Sequence, residues 1–556
     1  MENLQEHELI RSALPGAMDH GRGMVTFAIY VPGKQSVHLA GNFNHWDRQQ
    51  DPMVDRGGGF WVTWKELPPG RYTYYFVIDE NLVVCDPYSQ EVEPLKEGEG
   101  LCSAVEVGGE EFIWRHDDWQ RPALRDLMIY EINIGDFTPE GNFQGVFEKL
   151  DYLGDMGINA IEFMPVYECA PGDYWGYQPM FFLAPRRRFG GPADFKRLVD
   201  KAHDRGLAVI LDIVLAHTAH QHPLNQLYSY DQSPWYGEPI GEKNIFGLPT
   251  FDYRKTATNG FARDIQFFWL KEFHVDGFRY DYLPAIGSEH SDLGMPYLIR
   301  TAREIRPEVF LLGECLPENP DLVRHFDLSG VWHGRFDRGI ECLLGEEDIT
   351  PYRWDDFEAA VEFLDSSKQD YRTADFMINY FENHDKDRMA ELLRDKGFST
   401  EILYRKLALG ATILLTAPGE PMLYHGQEWG EATKMDLNPN PLHWEILDSE
   451  QGRLLYTHYK ALCRLRRAHT ALRSENFAFA AIYPEHKSVV IHRWYGEMDQ
   501  LVMAVNFSSS AREFNVPFRR TGKWTDYFSR EQLAVKDNPD LKLEPYSARI
   551  FILGAD

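Results

Sequence analysis

Several short apolar segments of this chain end on residues that ionise, as strands that run from a core toward a site would. The four acids at these ends are Asp212, Asp281, Glu314 and Asp385, and His217 follows the first of them. A charged group is costly to hold near a core unless it is paired or used. These strand ends therefore predict one shared site, and we expect the protein to be an enzyme.

Asp281 is the acid best suited to act as a nucleophile. It closes the segment Gly277-Phe278-Arg279-Tyr280-Asp281, and in a strand the period of two puts Arg279 and Asp281 on the same face. An arginine beside a carboxylate favours its ionised form, and an ionised carboxylate can attack an electrophilic carbon. The same two residues also fit a purely structural ion pair.

Glu314 ends the next apolar segment and is predicted to serve as a general acid. Its sequence neighbours are apolar until Glu318, and an apolar environment would raise its pKa. A nucleophile and an acid are the pair that retaining glycosidases use, with the carboxyl groups about 5 to 5.5 Å apart. A solvated residue at the end of a strand is the alternative.

Two histidines and a third carboxylate can complete such a site. Asn383, His384 and Asp385 follow another apolar segment, and His217 lies five residues after Asp212. Hydroxyl-rich ligands need donors and acceptors of this kind. His217 also fits an ordinary loop histidine whose hydrogen bonds are satisfied.

Eight strand candidates surround these residues and alternate with helical segments such as 192–204. Repeated strand and helix units predict an α/β fold, and eight of them fit a closed (β/α)8 barrel, the TIM barrel. The stretch 220–258 is too long for an ordinary connection and is predicted to be an excursion beside the site. The candidates are 128–131, 160–164, 207–214, the segments that begin at Val275, Val309 and Phe376, 411–415, and a weaker one near Val331.

Short alternating segments at both ends predict two further domains. Runs at 25–31, 36–40, 61–64 and 72–78 are separated by glycine and proline turns, which is typical of an antiparallel β-sandwich. Alternation returns after residue 474 and predicts a C-terminal antiparallel β-domain. We expect an N-terminal sandwich over 1–115, the barrel over 116–470 with the excursion at about 218–260, and the C-terminal domain over 471–556.

The composition argues against several kinds of partner. With 86 acidic and 57 basic residues the net charge is -29, which repels nucleic acid and anionic membrane surfaces. The six cysteines have no metal-binding spacing, and no metal site or cofactor is predicted. Without a signal-like or membrane-spanning run, we expect a cytoplasmic protein, either a monomer or a homo-oligomer.

The ordered motifs resemble those of glycoside hydrolase family 13, the α-amylase family. The four motifs, taken in order, are 212–217, 277–281, 313–314 and 383–385, and the segment 40–46 with 72–76 resembles a family 48 carbohydrate-binding module. The resemblance implies an α-glucan substrate and a retaining mechanism. It implies Asp281 as nucleophile, Glu314 as acid/base and Asp385 as the stabilising carboxylate.

The resemblance also implies the residues that contact the sugar. Arg279, His217 and His384 correspond to contacts of the cleaved sugar, and Tyr177 in Trp175-Gly176-Tyr177 corresponds to the aromatic platform below it. Trp175 and Asp212 are expected to contribute to the same site.

Two departures from the family pattern concern the metal and the specificity. Ala216 stands where many amylases have a calcium-binding asparagine, and a methyl group cannot coordinate calcium. The segment 282–285 lacks the basic residue that many amylases place after the nucleophile, so contacts to the leaving group must differ.

The choice between hydrolysis and transfer stays open at this point. Segments 381–388 and 421–428 resemble hydrolases, which favours α-amylase-like cleavage of α-1,4 linkages in starch, glycogen or maltooligosaccharides. Residues 175–178 and 216–217 resemble glycogen branching enzymes. Branching, a maltooligosyl trehalose trehalohydrolase and an α-1,6 debranching enzyme are the alternatives.

Overall fold

The computed structural model describes residues 14–95, 100–116, 118–288, 292–316, 318–371 and 373–554. Two sheets, a barrel and a further pair of sheets follow each other along the chain. No helix in these ranges is both long enough and apolar enough to cross a membrane.

The N-terminal strands form two antiparallel sheets, in the orders β1-β2-β5-β4 and β3-β6-β9-β8, with β7 paired to β6. Alternate residues such as Phe27, Leu39 and Phe76 are fully buried in a common hydrophobic core. The predicted antiparallel architecture is confirmed. The strands are β1 Gly16–Asp19, β2 Met24–Tyr30, β3 Val37–Gly41, β4 Val54–Asp55, β5 Phe60–Glu66, β6 Gly70–Ile78, β7 Leu82–Val84, β8 Glu91–Pro94 and β9 Leu101–Val107.

The next strands build the predicted closed parallel barrel, in the order β10-β11-β14-β15-β16-β17-β18-β19. The barrel strands are almost wholly buried, as parallel strands covered by helices are. The strands of this region are β10 Ile129–Ile132, β11 Ala160–Phe163, β12 Tyr167–Cys169, β13 Pro179–Pro185, β14 Ala208–Ile213, β15 Gly277–Tyr280, β16 Phe310–Gly313, β17 Gly330–Trp332, β18 Met377–Asn379 and β19 Glu420–Tyr424.

The eighth strand lies elsewhere than the sequence pattern indicated. Residues 411–415 belong to the helix Thr400–Thr416, so their assignment as a strand was wrong. The barrel closes instead through β19, which pairs with β10 in the register Ile129 to Met422. A short apolar run does not distinguish a strand from a helix that is buried on most sides, and this helix is of the second kind.

The helices pack around the barrel, and the predicted helix over 192–204 is confirmed at the same residues. Its first residue is a proline, whose fixed φ angle suits the first helical turn. The helices are α1 Ile134–Phe137, α2 Phe143–Met156, α3 Pro192–Asp204, α4 Pro223–Leu227, α5 Thr256–Glu272, α6 Leu283–Ile286, α7 Met295–Ile305, α8 Asp321–His325, α9 Gly334–Gly345, α10 Phe357–Ala360, α11 Met389–Asp395, α12 Thr400–Thr416 and α13 Glu450–Ala468.

Two long connections rise from the carboxyl ends of the barrel strands. The first contains the antiparallel pair β12 and β13, which the sequence pattern did not reveal. The second is the predicted excursion, and it runs from β14 to α5 with only the short helix α4 and a single turn of 3-10 helix. An isolated bridge between His217 and Thr250 joins it to the segment that follows β14, and a bridge between Tyr236 and Phe251 lies within it.

The C-terminal strands form the predicted antiparallel domain, with a sheet in the order β20-β21-β22-β27-β24-β25 and a separate pair, β23 and β26. The limits of the three domains stay predictions. The strands are β20 Phe477–Tyr483, β21 Ser488–Tyr495, β22 Asp499–Asn506, β23 Arg512–Asn515, β24 Gly522–Asp526, β25 Gln532–Val535, β26 Asp540–Leu543 and β27 Ser547–Leu553.

Candidate active site

Arg279 connects three of the predicted site carboxylates at the carboxyl ends of β14, β15 and β16. Its Nη1 lies 2.7 Å from Asp212 Oδ2 and 3.0 Å from Asp281 Oδ1, and its Nη2 lies 3.1 Å from Glu314 Oε2. The β14–β15 register places Asp212 directly opposite Arg279. The guanidinium is fully buried and lies 4.1 Å from the centre of the Trp332 ring. A buried arginine with three acidic neighbours fixes their positions relative to one another.

The ionisation of Asp281 depends on opposing influences. Burial raises the pKa of Asp281 well above its usual range, Arg279 lowers it, and Glu314, Asp212 and Asp385 raise it. The sequence predicted only the lowering of this pKa by Arg279, and the structure adds influences that oppose it. Because several carboxylates share few cations, we infer that the resting site keeps at least one proton.

Glu314 lies in a more polar environment than the sequence indicated. Its Oε2 accepts a hydrogen bond from the backbone N–H of Tyr282 at 3.1 Å, in addition to the ion pair with Arg279. The side chain is 21% exposed, so it faces the mouth of the barrel. The expected apolar surroundings are therefore wrong. The donor from Tyr282 comes from a turn whose fold the strand pattern does not predict.

His384 links the barrel interior to Asp385. Its Nδ1 lies 2.6 Å from Oε1 of Glu131, and its Nε2 lies 3.2 Å from Oδ1 of Asp385. Burial lowers the pKa of His384, but Asp385 and Glu131 outweigh it and raise the pKa to about 9. His384 is therefore an imidazolium at neutral pH and donates from both ring nitrogens.

Tyr177 and Trp175 reach the same site from the loop between β12 and β13. The Tyr177 hydroxyl donates to Asp212 Oδ2 at 2.5 Å, and its ring stacks on His384 with 5.1 Å between centroids and an angle of 13°. The Trp175 ring meets the His384 ring edge-on at 5.2 Å. Burial raises the pKa of Tyr177 well above its usual value, so the hydroxyl stays a donor.

His217 is close to the site, but both of its ring nitrogens already have partners. Nε2 lies 2.9 Å from the Tyr177 carbonyl oxygen and Nδ1 lies 3.0 Å from Asn244 Nδ2. Burial lowers the pKa of His217 to about 4, so the neutral ring donates to Tyr177 and accepts from Asn244. A sugar hydroxyl could bind His217 only in place of one of these bonds, and its role in binding stays a prediction.

Two buried glutamates lie below the predicted site residues. Glu131 and Glu162 occupy paired positions on β10 and β11 and are both almost wholly buried. Burial, followed by the charge of Glu131, raises the pKa of Glu162 well above its usual range. Within the described ranges neither Glu162 oxygen has a hydrogen-bond partner, which fits a protonated carboxyl. The sequence analysis did not select these two residues, although a glutamate within each predicted strand could have indicated them.

Candidate metal ligands were also sought among the described side chains. In the part of the chain that the structure describes, no group of three or more histidine, cysteine, aspartate or glutamate residues is arranged to hold a metal ion. The Ala216 side chain is buried, and its carbonyl oxygen accepts a hydrogen bond from the Phe251 N–H at 3.1 Å. That no calcium binds at the position of Ala216 stays a prediction.

Comparison with protein families identifies the catalytic part of the chain. The model of the alpha amylase catalytic domain matches residues 116–236 and 223–451, which together make up more than half of the chain. The chain belongs to the α-amylase family. The model of carbohydrate-binding module 48, the isoamylase N-terminal domain, matches residues 15–89. The family resemblance of both parts is therefore confirmed, and the protein is an enzyme of this family.

Relatives of this α-amylase family member have different named activities. A malto-oligosyltrehalose trehalohydrolase from Saccharolobus solfataricus is 28% identical over 446 residues, which cover 73% of this chain and 74% of the relative. A 1,4-alpha-glucan branching enzyme GlgB from Nocardia farcinica is 26% identical over 557 residues, which cover 91% of this chain and 72% of the relative.

A solved structure of the same fold is the pullulanase from Anoxybacillus sp. LM18-11 complexed with maltotetraose. It superposes with a TM-score of 0.79 at 20% identity, and the match covers 97% of this chain and 87% of the pullulanase. At this identity the likeness shows the fold alone.

Proposed function

We propose that the protein is a retaining hydrolase of α-glucans that cleaves α-1,4 linkages through a covalent glycosyl-enzyme. The observation that carries this proposal is the position of Asp281 and Glu314 on the two terminal nitrogens of Arg279. Both carboxyl groups follow neighbouring strands and so face one sugar ring, as a nucleophile and an acid must.

The first step needs both carboxyl groups. The Asp281 carboxylate bonds to the anomeric carbon, the bond from that carbon to the oxygen of the leaving sugar breaks, and Glu314 protonates this oxygen. Water then attacks the same carbon, the bond to Asp281 breaks, and Glu314 takes the proton from the water.

The remaining groups bind the sugar while charge develops on it. Asp385 is 46% exposed at the mouth and, next to the cationic His384, is placed to bind hydroxyl groups. Tyr177 supplies the aromatic platform, held by its hydrogen bond to Asp212 and its stacking on His384. An oxocarbenium-like transition state is stabilised by the carboxylates around it.

Transfer to a glucan hydroxyl is the second candidate function. The branching enzyme from Nocardia farcinica aligns with 91% of this chain. Hydrolysis and branching share the first step and differ in whether water or a sugar hydroxyl resolves the intermediate. The relative from Saccharolobus solfataricus supports a hydrolase, with a trehalose-capped maltooligosaccharide as one substrate to test.

Product analysis tests the proposal. The purified protein is incubated with amylose, pullulan, glycogen and a trehalose-capped maltooligosaccharide, and reducing ends, trehalose and α-1,6 linkages are measured. We expect new reducing ends whose anomeric configuration is retained. An increase in α-1,6 linkages without new reducing ends would favour branching, and binding without any turnover would contradict an enzymatic role.

The cellular setting and assembly remain proposals. The six cysteines, all within the described residues, form no disulfide bond, which supports a reducing cytoplasmic location. We propose an α-glucan as the partner of this acidic protein, and neither nucleic acid nor a membrane. Size-exclusion chromatography distinguishes a monomer from a homo-oligomer.

A further inference from the structure

Two aromatic side chains, one next to His217 and one next to Glu314, have no role in the site described above. Phe246, from the excursion, is 59% exposed, and Tyr282 directly follows Asp281 and is half-buried. Their rings meet edge-on with 5.4 Å between centroids and an angle of 72°. An exposed aromatic pair at the rim of a site is a surface on which a ligand can bury apolar area.

Tyr282 lies on the leaving-group side of the site. Its backbone N–H donates to Glu314 Oε2 at 3.1 Å, and Glu314 has to reach the oxygen between the cleaved sugar and the leaving sugar. The residue has a φ of 45°, in the left-handed region that few side chains adopt. Beyond this turn, the Tyr282 side chain contacts the Lys243 carbonyl oxygen and the Phe246 ring, both in the excursion.

The position of Phe246 is determined by the same contacts that hold the site. Its backbone N–H donates to Asn244 Oδ1 at 2.8 Å, and the Asn244 amide donates to His217 Nδ1 at 3.0 Å. The Phe246 ring lies 6.0 Å from the His217 ring. The ring is therefore built into the site although most of its surface faces solvent.

Further bonds tie the excursion to the segment after the nucleophile. The Glu242 N–H donates to the Pro284 carbonyl oxygen at 2.7 Å, and the Tyr282 hydroxyl donates to the Lys243 carbonyl oxygen at 3.3 Å. Gly241 and Gly287 approach so closely that a side chain at either one would meet the backbone of the other segment. The two aromatic rings thus belong to one connected surface.

We propose that Phe246 and Tyr282 form an aromatic wall on which the leaving sugar of the glucan stacks, and on which an acceptor sugar stacks in the second step. This inference rests on the proposed function. When an acceptor is bound there, its hydroxyl oxygen bonds to the anomeric carbon, the bond to Asp281 breaks, and the hydroxyl proton passes to Glu314. The wall therefore sets the ratio of transfer to hydrolysis.

The test compares a substrate whose leaving sugar needs the wall with one that has no leaving sugar. The first is the glucan that the wild type cleaves in product analysis. The second is α-maltosyl fluoride, whose leaving group is a fluoride ion. We expect Phe246→Ala and Phe246→Leu to lower kcat/KM on the glucan by about tenfold, which corresponds to ~1.4 kcal/mol. Fluoride release should change by less than about twofold.

Two further variants distinguish the effect of the aromatic ring from that of a neighbouring side chain. Phe246→Tyr keeps the ring and should retain nearly the wild-type kcat/KM. Ile245→Ala removes a neighbouring side chain that is 78% exposed, and it should behave like the wild type on both substrates. With maltose added as acceptor, Phe246→Ala should lower the ratio of transfer to hydrolysis products, while Ile245→Ala should not.

The outcomes distinguish this inference from the proposed function. If the wild type releases fluoride but Phe246→Ala keeps full activity on the glucan, the wall is wrong and the catalytic proposal stands. An equal loss on both substrates would also contradict the wall, because it would indicate a structural role. If the folded wild type releases no fluoride and cleaves no glucan, the proposed function fails, and the wall with it.

Discussion

At the scale of single residues, the site consists of acids whose chemistry depends on the cations beside them. Arg279 contacts Asp212, Asp281 and Glu314, and His384 contacts Asp385 and Glu131. Each acid has a different exposure and a different set of donors, so residues of one chemical type can serve as nucleophile, acid and stabiliser.

Removing the acid tests its role. We expect Glu314→Gln to lower kcat on native glucans by about 10² to 10⁴ fold, because an amide cannot protonate the leaving oxygen. Substrates whose leaving group needs no proton, such as α-maltosyl fluoride, should be far less affected in the first step. Asp281→Asn is the matched comparison and should abolish turnover of both, since it removes the proposed nucleophile. Equal loss in Glu314→Gln would contradict its assignment.

The charge on His384 makes activity depend on pH. Because its pKa is raised from 6.5 to about 9, the stability and binding that the imidazolium contributes are fully present below pH 6.5 and are lost as the pH rises through 9. We therefore expect an alkaline fall in kcat/KM near pH 9. A pH profile from 6 to 10.5 measures it.

Glu131 should determine where that fall occurs. A glutamine removes the charge but keeps an oxygen for His384, so Glu131→Gln should move the alkaline fall to lower pH by about 1 to 2 units. Glu428→Gln is a matched control, because Glu428 is equally buried but accepts from Tyr130 and Tyr152 instead of a histidine. A profile that is unchanged in Glu131→Gln would show that Glu131 does not control His384.

At the scale of elements, barrel strands hold the reacting groups by close contact of their backbones. Gly277 begins β15, and a Cβ atom there would lie 2.5 Å from the Cβ of Phe310 on β16 and too close to its carbonyl oxygen. The strand β15, which carries Arg279, can lie this close to β16, which Glu314 follows, only because residue 277 has no side chain.

A pair of glycine substitutions tests this spacing. Gly277→Ala should lower the free energy of unfolding by about 1 to 3 kcal/mol and lower kcat, since β15 and β16 must separate. Gly154→Ala, in α2 with open space around the added methyl group, should instead stabilise the fold by about 0.5 to 1 kcal/mol at unchanged kcat. Denaturant unfolding and initial rates give both quantities. A Gly277→Ala enzyme of wild-type stability would contradict the argument.

The elements also show where pattern reading reaches its limit. Seven barrel strands were recognisable from the sequence as short apolar runs, namely β10, β11, β14, β15, β16, β17 and β18. The run 411–415 has the same composition but lies within a helix, and β19 begins only after Pro418 and Gly419. A run of hydrophobic residues indicates only that a segment is buried, and both a central strand and a packed helix are buried.

At the scale of the whole molecule, the N-terminal module packs against the excursion and α5. The Tyr228 hydroxyl donates to the Pro32 carbonyl oxygen at 2.7 Å, and the Tyr88 hydroxyl donates to Asp264 Oδ2 at 2.9 Å. The excursion that carries Phe246 is therefore in contact with the module on one side and with the site on the other.

Loss of one interface bond should weaken this packing. Tyr88→Phe leaves the half-buried Asp264 carboxylate without its donor, which should cost about 1 to 3 kcal/mol. Differential scanning calorimetry should show a lower Tm, with the N-terminal module unfolding ahead of the barrel. Tyr230→Phe is the control, because its bond to Gly237 lies within the excursion. Identical thermograms for both variants would contradict a role of Tyr88 in joining the domains.

The sequence by itself determined the fold class, the family and the positions of the acids at strand ends. Side-chain period and apolar runs are local properties, so the shared face of Arg279 and Asp281 could be predicted from five residues. The tertiary structure alone decided which groups meet. Glu131 and His384 are 253 positions apart, and Glu314 receives a donor from Tyr282, 32 positions away. Such contacts depend on barrel closure and loop packing, which no local pattern records.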